Sequence, residues 1–308
     1  MSSPLRIGVV GLGRRWPRYR QALLALSREA RAVAVHDPAL ERAETEAREL
    51  GCEAAAGAVE LIERPDVDAV LVPGGAWHGL WAVERAARAG KPVLCAASPV
   101  EDEECLDAIP PDGVHVALWP ALTLAREALS ERLRESLGRP LFAQATWTRH
   151  GDRDLLATAG ALALFRACAD LFGEAPRTVA ALPAPSAVDC ASLLLSFDEQ
   201  RLAQLTLWGG PAARPGLTVQ VEAEGGPARL ELPRRVEWQD AEGRHALQLP
   251  GGLAEGLVLD RFVRAVRDGE PPACGLAAAG AALGWLRAAR RARETGQPVA
   301  LGPAAGRA

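Results

Sequence analysis

The sequence predicts an α/β protein in which a doubly wound parallel sheet is followed by an α+β domain with a large, mostly antiparallel, open-faced sheet. Three observations predict this fold class. Strands and helices alternate up to about residue 120, a glycine turn joins the first strand to the first helix, and alternating segments broken by Gly, Pro and Asp dominate the remainder. We therefore expect two domains, at residues 1–120 and 121–308.

The first domain consists of apolar strands separated by amphipathic helices. Strands are predicted at residues 5–10, 31–36, 68–72, 92–95 and 114–118. Helices are predicted at residues 17–30, 39–50, 57–63, 78–89 and 101–108. Because right-handed crossovers connect successive parallel strands, this order predicts a doubly wound sheet.

The second domain opens with a helix at 122–137 that ends at Gly138. Strands are predicted at 141–147, 191–197, 202–208, 217–222, 228–232, 235–238 and 246–249. Further helices are predicted at 158–172, 254–268 and 276–295. One face of the sheet alternates apolar residues with Thr and Gln and is too apolar to lie fully in water. This pattern predicts a homo-oligomer, a dimer or tetramer, formed through the open sheet.

The bulk composition excludes several classes of partner. The formal net charge of −4 argues against nucleic acid. No apolar run reaches membrane-spanning length and no signal peptide precedes the first strand, so we expect no membrane partner. The six cysteines are scattered without a CxxC pair, which indicates reduced thiols in a cytoplasmic protein.

The segment Ile7–Trp16, Ile-Gly-Val-Val-Gly-Leu-Gly-Arg-Arg-Trp, predicts a dinucleotide site. Gly11 permits a tight turn, and Gly13 lets backbone N–H groups approach a pyrophosphate without a Cβ in the way. The helix that follows points its positive end at that anion. Arg14 and Arg15 add positive charge beside it.

Asp37 ends the second strand, where a carboxylate can accept both hydroxyls of the adenosine ribose. The same carboxylate would repel a 2′-phosphate, so NAD is favoured over NADP, although a neighbouring arginine could soften that preference. Trp16 stands where the fingerprint has its third glycine, so we expect the first helix to sit farther out or to tilt. The alternative is an ordinary βα turn with a solvent-exposed aspartate.

Further segments, in this order and spacing, make the chain similar to the Gfo/Idh/MocA family of NAD(P)-dependent sugar and cyclitol oxidoreductases. They are Asp37–Pro38, 65–72, 86–94, Gly138, 262–272 and Thr295–Val299. The resemblance implies a Rossmann domain followed by an open-faced sheet that often buries its face against another subunit. It also implies a bound dinucleotide and a small polar substrate.

The chain departs from the family where the chemistry is done. After Gly90-Lys-Pro-Val-Leu94 the family has Glu-Lys-Pro, whose lysine holds substrate and cofactor, but here Ser98 stands in place of the lysine. A hydroxyl can donate one hydrogen bond but supplies neither a cation nor a proton near neutral pH. The family's Asp-x-Gly-x-His helix has Ala159 and Ala163 at the acidic and histidine positions, and residues 155–165 contain no His, Asp or Lys.

Candidate substitutes lie in two loops. Pro73, Trp77 and His78 follow the third predicted strand and could contact the nicotinamide ribose or a ligand, with His78 as acid or base. The alternative is a histidine at a helix start that bonds to backbone. The run His150–Asp154 could overhang the cleft or be a polar loop, and it offers too few ligands for a metal site, so none is predicted.

Two functions remain open from the sequence. The first is an NAD(H)-binding but catalytically degenerate oxidoreductase that serves as a sensor, partner subunit or assembly element, and the missing Lys, Asp and His favour it. The alternative is an active NAD-dependent oxidoreductase on a sugar, cyclitol or related hydroxy compound, with a substituted acid or base such as His78 or His150 and a contribution from Ser98.

Overall fold

The computed structural model describes residues 3–74, 78–101, 103–151, 154–183, 189–198, 200–211, 213–232, 235–249, 254–270 and 272–302. The chain divides into two compact units. The first comprises Met1–Pro120 with Gly252–Gly280, and the second comprises Ala121–Gly251 with Ala281–Ala308. Residues 252–280, which the sequence predicts in the second domain, thus group with the first unit.

The first unit is built on a parallel sheet with the strand order β3-β2-β1-β4-β5-β6. This order confirms the doubly wound Rossmann architecture. Five strands agree with the predicted segments, and the two-residue β3 is an additional edge strand. The strands are β1 (Leu5–Val10), β2 (Ala30–His36), β3 (Glu53–Ala54), β4 (Ala69–Val72), β5 (Val93–Cys95) and β6 (Val114–Val116).

The helices of the two units agree with the predicted pattern except at residues 101–108. That prediction is wrong, because the segment forms two short 3₁₀ turns, Pro99–Glu101 and Glu103–Ala108. A five-residue π-helical stretch, Leu133–Leu137, continues the fifth helix. The helices are α1 (Trp16–Ala25), α2 (Leu40–Leu50), α3 (Ala58–Glu63), α4 (Trp81–Arg88), α5 (Pro120–Arg132), α6 (Ala159–Phe172), α7 (Ala254–Asp268) and α8 (Leu276–Thr295).

Helix α7 groups with the first unit because its apolar stripe packs against α1 and the parallel sheet. Leu259, Phe262 and Val263 belong to the same buried cluster as Trp16 and Tyr19 of α1. An ion pair between Arg18 and Glu255 joins the two helices at 3.1 Å. Sequence shows that α7 is amphipathic, but it does not show which sheet the apolar stripe covers.

The second unit contains a nine-stranded sheet with the order β14-β13-β12-β11-β7-β10-β9-β8-β15. Only the β10–β7 pair is parallel among the pairings of the described strands, so the sheet is mostly antiparallel, as predicted. The strands are β7 (Pro140–His150), β8 (Thr178–Leu182), β9 (Cys190–Ser196), β10 (Leu202–Gly210), β11 (Gly216–Ala223), β12 (Gly226–Leu232), β13 (Arg235–Asp240), β14 (Gly243–Gln248) and β15 (Val299–Ala300). The sequence did not predict β8 or the two-residue β15.

Burial alternates along the central strands of this sheet. In β9 and β10 every second residue is buried, and the intervening residues are half-buried or exposed. One face therefore belongs to the core, and the other carries Thr, Gln and Ser side chains. Among the described residues, no helix is both long enough and apolar enough to cross a bilayer.

Candidate dinucleotide-binding site

The candidate site lies at the carboxyl ends of β1 and β4, where the strand order reverses direction. Open α/β sheets bind ligands in the crevice at this switch point. Gly11 follows β1 with φ = +82°, a left-handed conformation that favours glycine. Its N–H donates to the carbonyl of His36 at 2.8 Å, which ties the turn to the end of β2.

Two loop backbones approach each other closely in this crevice. A Cβ added at Gly13 would lie 3.7 Å from the Cα of Gly74, and one at Gly74 would lie 3.9 Å from the Cα of Gly13. Gly74 follows the buried Pro73 at the end of β4. Because neither Gly13 nor Gly74 has a Cβ, backbone groups can face a ligand there, which is what a pyrophosphate requires.

The carboxylate of Asp37 organises the glycine turn from the end of β2. Its Oδ2 accepts from the N–H of Leu12 at 2.8 Å, and its Oδ1 accepts from the N–H of Ala39 at 3.0 Å. Each carboxylate oxygen can accept a second hydrogen bond, so both oxygens can still receive ribose hydroxyls. Asp37 is half-buried, so the ordinary solvent-exposed aspartate of the alternative interpretation does not describe it.

The amino end of α1 faces the glycine turn without a neutralising side chain. Arg15 is the N-cap residue, no side chain caps the helix, and its first turn contains no acidic residue. Trp16, the next residue, is 1% exposed and belongs to the buried cluster with Tyr19. The indole that replaces the third glycine therefore lies in the core, and the positive end of the helix is available to an anion.

His78 lies in a turn before α4 and is buried against the glycine turn. Its Nε2 would be 2.8 Å from a Cβ added at Gly11, and its Nδ1 is 3.0 Å from the carbonyl oxygen of Gly79. Burial lowers the pKa of His78 and the Gly79 contact raises it, with smaller effects from His36, which lowers it, and Asp37, which raises it. The imidazole thus lies on the Asp37 side of the crevice.

Arg15 and Ser98 meet the sheet farther along the same edge. The Arg15 guanidinium donates through Nη1 to the carbonyl of Ala96 at 2.9 Å and to that of Ala117 at 3.3 Å. Ala96 and Ala117 directly follow β5 and β6. The Ser98 hydroxyl oxygen is buried and has no hydrogen-bond partner in the described part of the chain. The neighbouring Arg14 is exposed.

The only lysine of the chain does not belong to this edge. Lys91 precedes β5, at the amino end of the strand, whereas Ser98 follows its carboxyl end. The Lys91 ammonium donates to the carbonyls of Arg64 and Val67, at 3.0 Å for Arg64. Lys91 therefore holds the connection between α3 and β4.

Helix α6 carries Ala159 and Ala163, which the resemblance to the family aligns with its acid–base residues. Ala163 is buried, and Gly160 packs so closely on Trp147 that an added Cβ would lie 2.4 Å from the indole. The charged residues of this helix lie farther along it, where Asp170 pairs with Arg166 and, at 3.4 Å, with Arg126 of α5. The amino-terminal turn of α6 thus has no titratable side chain.

The other predicted candidates are placed as follows. His150 ends β7 and is exposed, while Asp154 accepts from the N–H of Leu156 at 3.1 Å and pairs with Arg293 at 3.3 Å. These contacts favour the polar-loop interpretation for Asp154. Trp77 lies outside the described residues. Within the described ranges no group of three or more His, Cys, Asp and Glu side chains could hold a metal ion.

The structure adds contacts that sequence reasoning missed. Gly74 contributes the second backbone wall of the crevice, and its signal is a Pro-Gly pair directly after a buried strand. The N–H of Leu12 is the partner of Asp37, which the motif does not reveal. The carbonyls of Ala96 and Ala117 that receive Arg15 have no sequence signal.

These features fit an NAD molecule. The glycine cradle and the uncapped helix end suit the pyrophosphate, and Asp37 suits the adenosine ribose. The parallel sheet and this crevice together define a Rossmann dinucleotide-binding domain.

Residues 5–102 match the family model described as "Oxidoreductase family, NAD-binding Rossmann fold", GFO_IDH_MocA. The first domain thus matches the Gfo/Idh/MocA family, and the match ends at residue 102. The predicted NAD-binding Rossmann domain is thereby confirmed.

Similar proteins of known sequence match only part of the chain. It is 42% identical over 97 residues to dTDP-3,4-didehydro-2,6-dideoxy-alpha-D-glucose 3-reductase of Saccharopolyspora spinosa, which is 30% of this chain and 28% of that reductase. It is 43% identical over 91 residues to the reductase of the same name from Streptomyces violaceoruber, covering 29% of this chain and 26% of the relative. The chain thus spans less than a third of the curated relatives it matches.

Solved structures are similar over nearly the whole chain. An oxidoreductase domain protein from Kribbella flavida has a TM-score of 0.80 at 16% identity, covering 97% of this chain and 99% of that one. Levoglucosan dehydrogenase in complex with NADH has a TM-score of 0.79 at 16% identity, with coverage of 97% and 100%. At these identities the likeness establishes the two-part fold.

Proposed function

We propose that this protein is an NAD(H)-dependent oxidoreductase that acts on a hydroxyl or carbonyl group of a sugar, cyclitol or related compound with a substituted set of polar residues. The observation that carries the proposal is the complete crevice at the β1–β4 switch point. Its glycine backbone, Asp37 and uncapped α1 remain arranged for a dinucleotide. The partial match to sugar reductases supports an active enzyme of this substrate class.

The preference for NAD over NADP rests on Asp37. Its carboxylate is held in place by two backbone N–H groups, so it cannot easily turn away from the adenosine ribose. A 2′-phosphate would bring negative charge against this fixed carboxylate. Arg14 is exposed at the glycine turn and is the residue that could reduce this repulsion.

The chemistry at the substrate oxygen falls to this chain's own side chains. Bound NAD(H) supplies hydride transfer, and a proton must also be added to or removed from the substrate oxygen. The Ser98 hydroxyl is buried without a partner in the described residues, so it can hydrogen-bond that oxygen, while the proton itself must be exchanged with a titratable group such as His78. His78 packs on Gly11, which supports a role in positioning the glycine turn beside its candidate role as acid or base.

A second candidate is a catalytically degenerate protein that binds NAD(H) and acts as a sensor, partner or assembly element. The alanines at positions 159 and 163 favour it, because the helix that bears them has no titratable group in its first turn. Each missing acid–base partner costs roughly 100- to 10,000-fold in rate.

Turnover measurements separate the two candidates. The purified protein would be assayed for NADH oxidation with keto sugars and for NAD⁺ reduction with sugars, inositols and hydroxy acids. The proposal expects turnover with at least one compound, reduced in Ser98→Ala while NADH affinity is kept. Saturable NADH binding without turnover on the whole panel would instead establish the degenerate protein. His78→Gln distinguishes its two roles, because loss of turnover at unchanged NADH affinity identifies an acid or base.

Self-association through the open sheet remains part of the proposal. The outward residues of β7, β9 and β10 include no Asp, Glu, Lys or Arg, and Thr206 and Thr218 both pair with Thr146 in the centre of the face. A neutral face of this kind suits a second copy of itself. Light scattering should show a dimer or tetramer. Thr206→Arg should convert it to a monomer, and Thr45→Arg, on the exposed surface of α2, should leave it intact. A wild-type monomer would contradict self-association through the sheet. A cytoplasmic location stays a prediction from the sequence.

A further inference from the structure

We propose that Arg15 makes the site prefer NADH over NAD⁺, by holding an uncompensated positive charge at the nicotinamide half of the crevice. This inference rests on the proposed function and names the form of the cofactor that the site favours. It assigns to Arg15 a role different from that of a phosphate ligand.

The Arg15 side chain leaves the glycine turn after β1 and donates to the carbonyls of Ala96 and Ala117, which follow β5 and β6, at 2.9 Å and 3.3 Å. Two hydrogen bonds from one guanidinium nitrogen hold the group in a single place. The side chain is half-buried, in contrast to the exposed Arg14 beside it.

The nicotinamide half of a bound dinucleotide would meet this charge. Asp37 follows β2 and takes the adenosine ribose, and the glycine turn after β1 takes the pyrophosphate. In the order β3-β2-β1-β4-β5-β6, the remaining half of the molecule extends away from β2, over β4 and towards β5. The guanidinium at the ends of β5 and β6 thus lies on the nicotinamide side.

Both hydrogen-bond partners of the Arg15 guanidinium are neutral carbonyls, and no acidic side chain of the described residues forms an ion pair with it. Its field reaches buried neighbours. Burial raises the pKa of the Cys95 thiol to about 12, and burial also raises the pKa of the Tyr19 hydroxyl, while Arg15 lowers both.

The oxidised and reduced forms of the cofactor differ in the charge of the nicotinamide ring. The nicotinamide ring of NAD⁺ carries a positive charge, and that of NADH is neutral. A guanidinium stays charged over the ordinary pH range and repels only the oxidised ring. At an effective dielectric constant near 20, one unit charge about 8–12 Å away changes affinity by roughly ten- to thirtyfold. Tenfold tighter binding of NADH raises the reduction potential of the bound couple by about 30 mV.

The experiment compares the affinities of NADH, NAD⁺ and ADP-ribose in wild type, Arg15→Met and Arg14→Met, by calorimetry with thermal midpoints as a folding check. We expect wild type to bind NADH at least tenfold more tightly than NAD⁺. Arg15→Met should bring the ratio of the two dissociation constants near one, mainly by improving NAD⁺ binding. Arg15→Lys should retain most of the preference. Arg14→Met should weaken all three ligands alike or leave them unchanged.

Three outcomes would overturn the inference. One is a ratio that Arg15→Met leaves unchanged, which would make Arg15 a structural link between β5 and β6. Another is an equal loss for all three ligands including ADP-ribose, which would make it a pyrophosphate ligand. The third is a wild type that binds NAD⁺ as tightly as NADH. If Arg15→Met does not fold, Arg15→Gln gives the same comparison. A shifted ratio without turnover on any substrate would overturn the proposed function but leave this inference standing.

Discussion

The carboxyl edge of the parallel sheet has two halves that differ in how much of the family's chemistry they keep. At β2, β1 and β4, the left-handed Gly11, the close approach of Gly13 to Gly74 and the anchored Asp37 form a complete nucleotide crevice. At the carboxyl ends of β5 and β6 lie Ser98, which the family resemblance places at the position of the lysine, and the Arg15 guanidinium, which reaches over from the glycine turn.

The difference teaches that nucleotide binding and acid–base chemistry are separable in this fold. The first depends on backbone geometry that only a few residues can provide, so it is lost by single substitutions there. The second depends on side-chain identity at positions that fold equally well with serine or alanine.

The largest effect is expected from Gly11→Ala. The added Cβ would lie 2.8 Å from His78 Nε2, and alanine is strained at φ = +82°. NADH affinity should fall by roughly 100-fold or more, because the pyrophosphate loses its backbone hydrogen bonds. Isothermal titration measures the loss.

Gly51→Ala is the matched control for backbone strain. Gly51 also has positive φ, at +66°, but an added Cβ meets nothing within 4 Å. It should lose about 1–2 kcal/mol of stability and keep NADH affinity. Equal NADH affinities in the two variants would remove the glycine turn from the binding site.

Asp37→Ala comes next. It removes the acceptor of the Leu12 N–H and the proposed partner of the ribose hydroxyls. Hydrogen bonds to a charged group contribute enough for a loss of about tenfold to a hundredfold in NADH affinity. NADPH affinity should fall less than NADH affinity, so the preference for NADH over NADPH should become smaller.

Asp66→Ala is the control, because it removes a carboxylate bound to Arg64 in the same unit and should change neither affinity. A preference for NADH over NADPH that survives in Asp37→Ala would contradict the assignment of Asp37.

Gly160→Ala tests whether the second unit can be weakened without touching the nucleotide. Its Cβ would lie 2.4 Å from Trp147, and overpacking of this kind costs about 1–3 kcal/mol. Gly284→Ala in the second-unit part of α8 meets nothing within 4 Å and should stabilise by about 0.5–1 kcal/mol. Calorimetric midpoints should move in opposite directions with NADH affinity constant. A change of NADH affinity in Gly160→Ala would show that packing in the second unit affects the nucleotide site.

The smallest effect concerns pH. Burial lowers the pKa values of His78 and His115 below the ordinary value of 6.5, so the unfolded chain binds protons that the folded chain does not. Stability should therefore decrease as pH falls below about 6.5. Asp66 and Asp198, with pKa values of about 2, lose their contribution only below the ordinary 3.8, outside this range.

Variants of the two histidines sharpen the pH prediction. His115→Gln should flatten the pH dependence of the thermal midpoint between pH 7.5 and 5.5 without changing NADH affinity, because His115 contacts Phe262 of α7. His78→Gln should flatten the same dependence and also alter NADH binding. If neither variant changes the pH dependence of the thermal midpoint, that dependence comes from other groups.

The glycine turn and Asp37 could be predicted from sequence because their requirement is local. Only glycine suits the positive φ after β1, and an acid at the end of β2 is close to that turn in every sheet of this order. The course of Arg15 could not be predicted, since its partners lie 81 and 102 residues away. The strands β3 and β15 have two residues each, too few for any periodicity. The 3₁₀ turns at residues 99–101 and 103–108 show no pattern in the sequence that separates them from a short α-helix.

The most direct test of the account is a titration of the purified wild-type chain with NADH, followed by nicotinamide fluorescence and thermal midpoint. We predict saturable binding that raises the midpoint, and we predict that Gly11→Ala abolishes both signals while Gly51→Ala keeps them. A folded wild-type protein whose fluorescence and midpoint do not respond to NADH would contradict the central claim that the β1–β4 crevice is a working dinucleotide site.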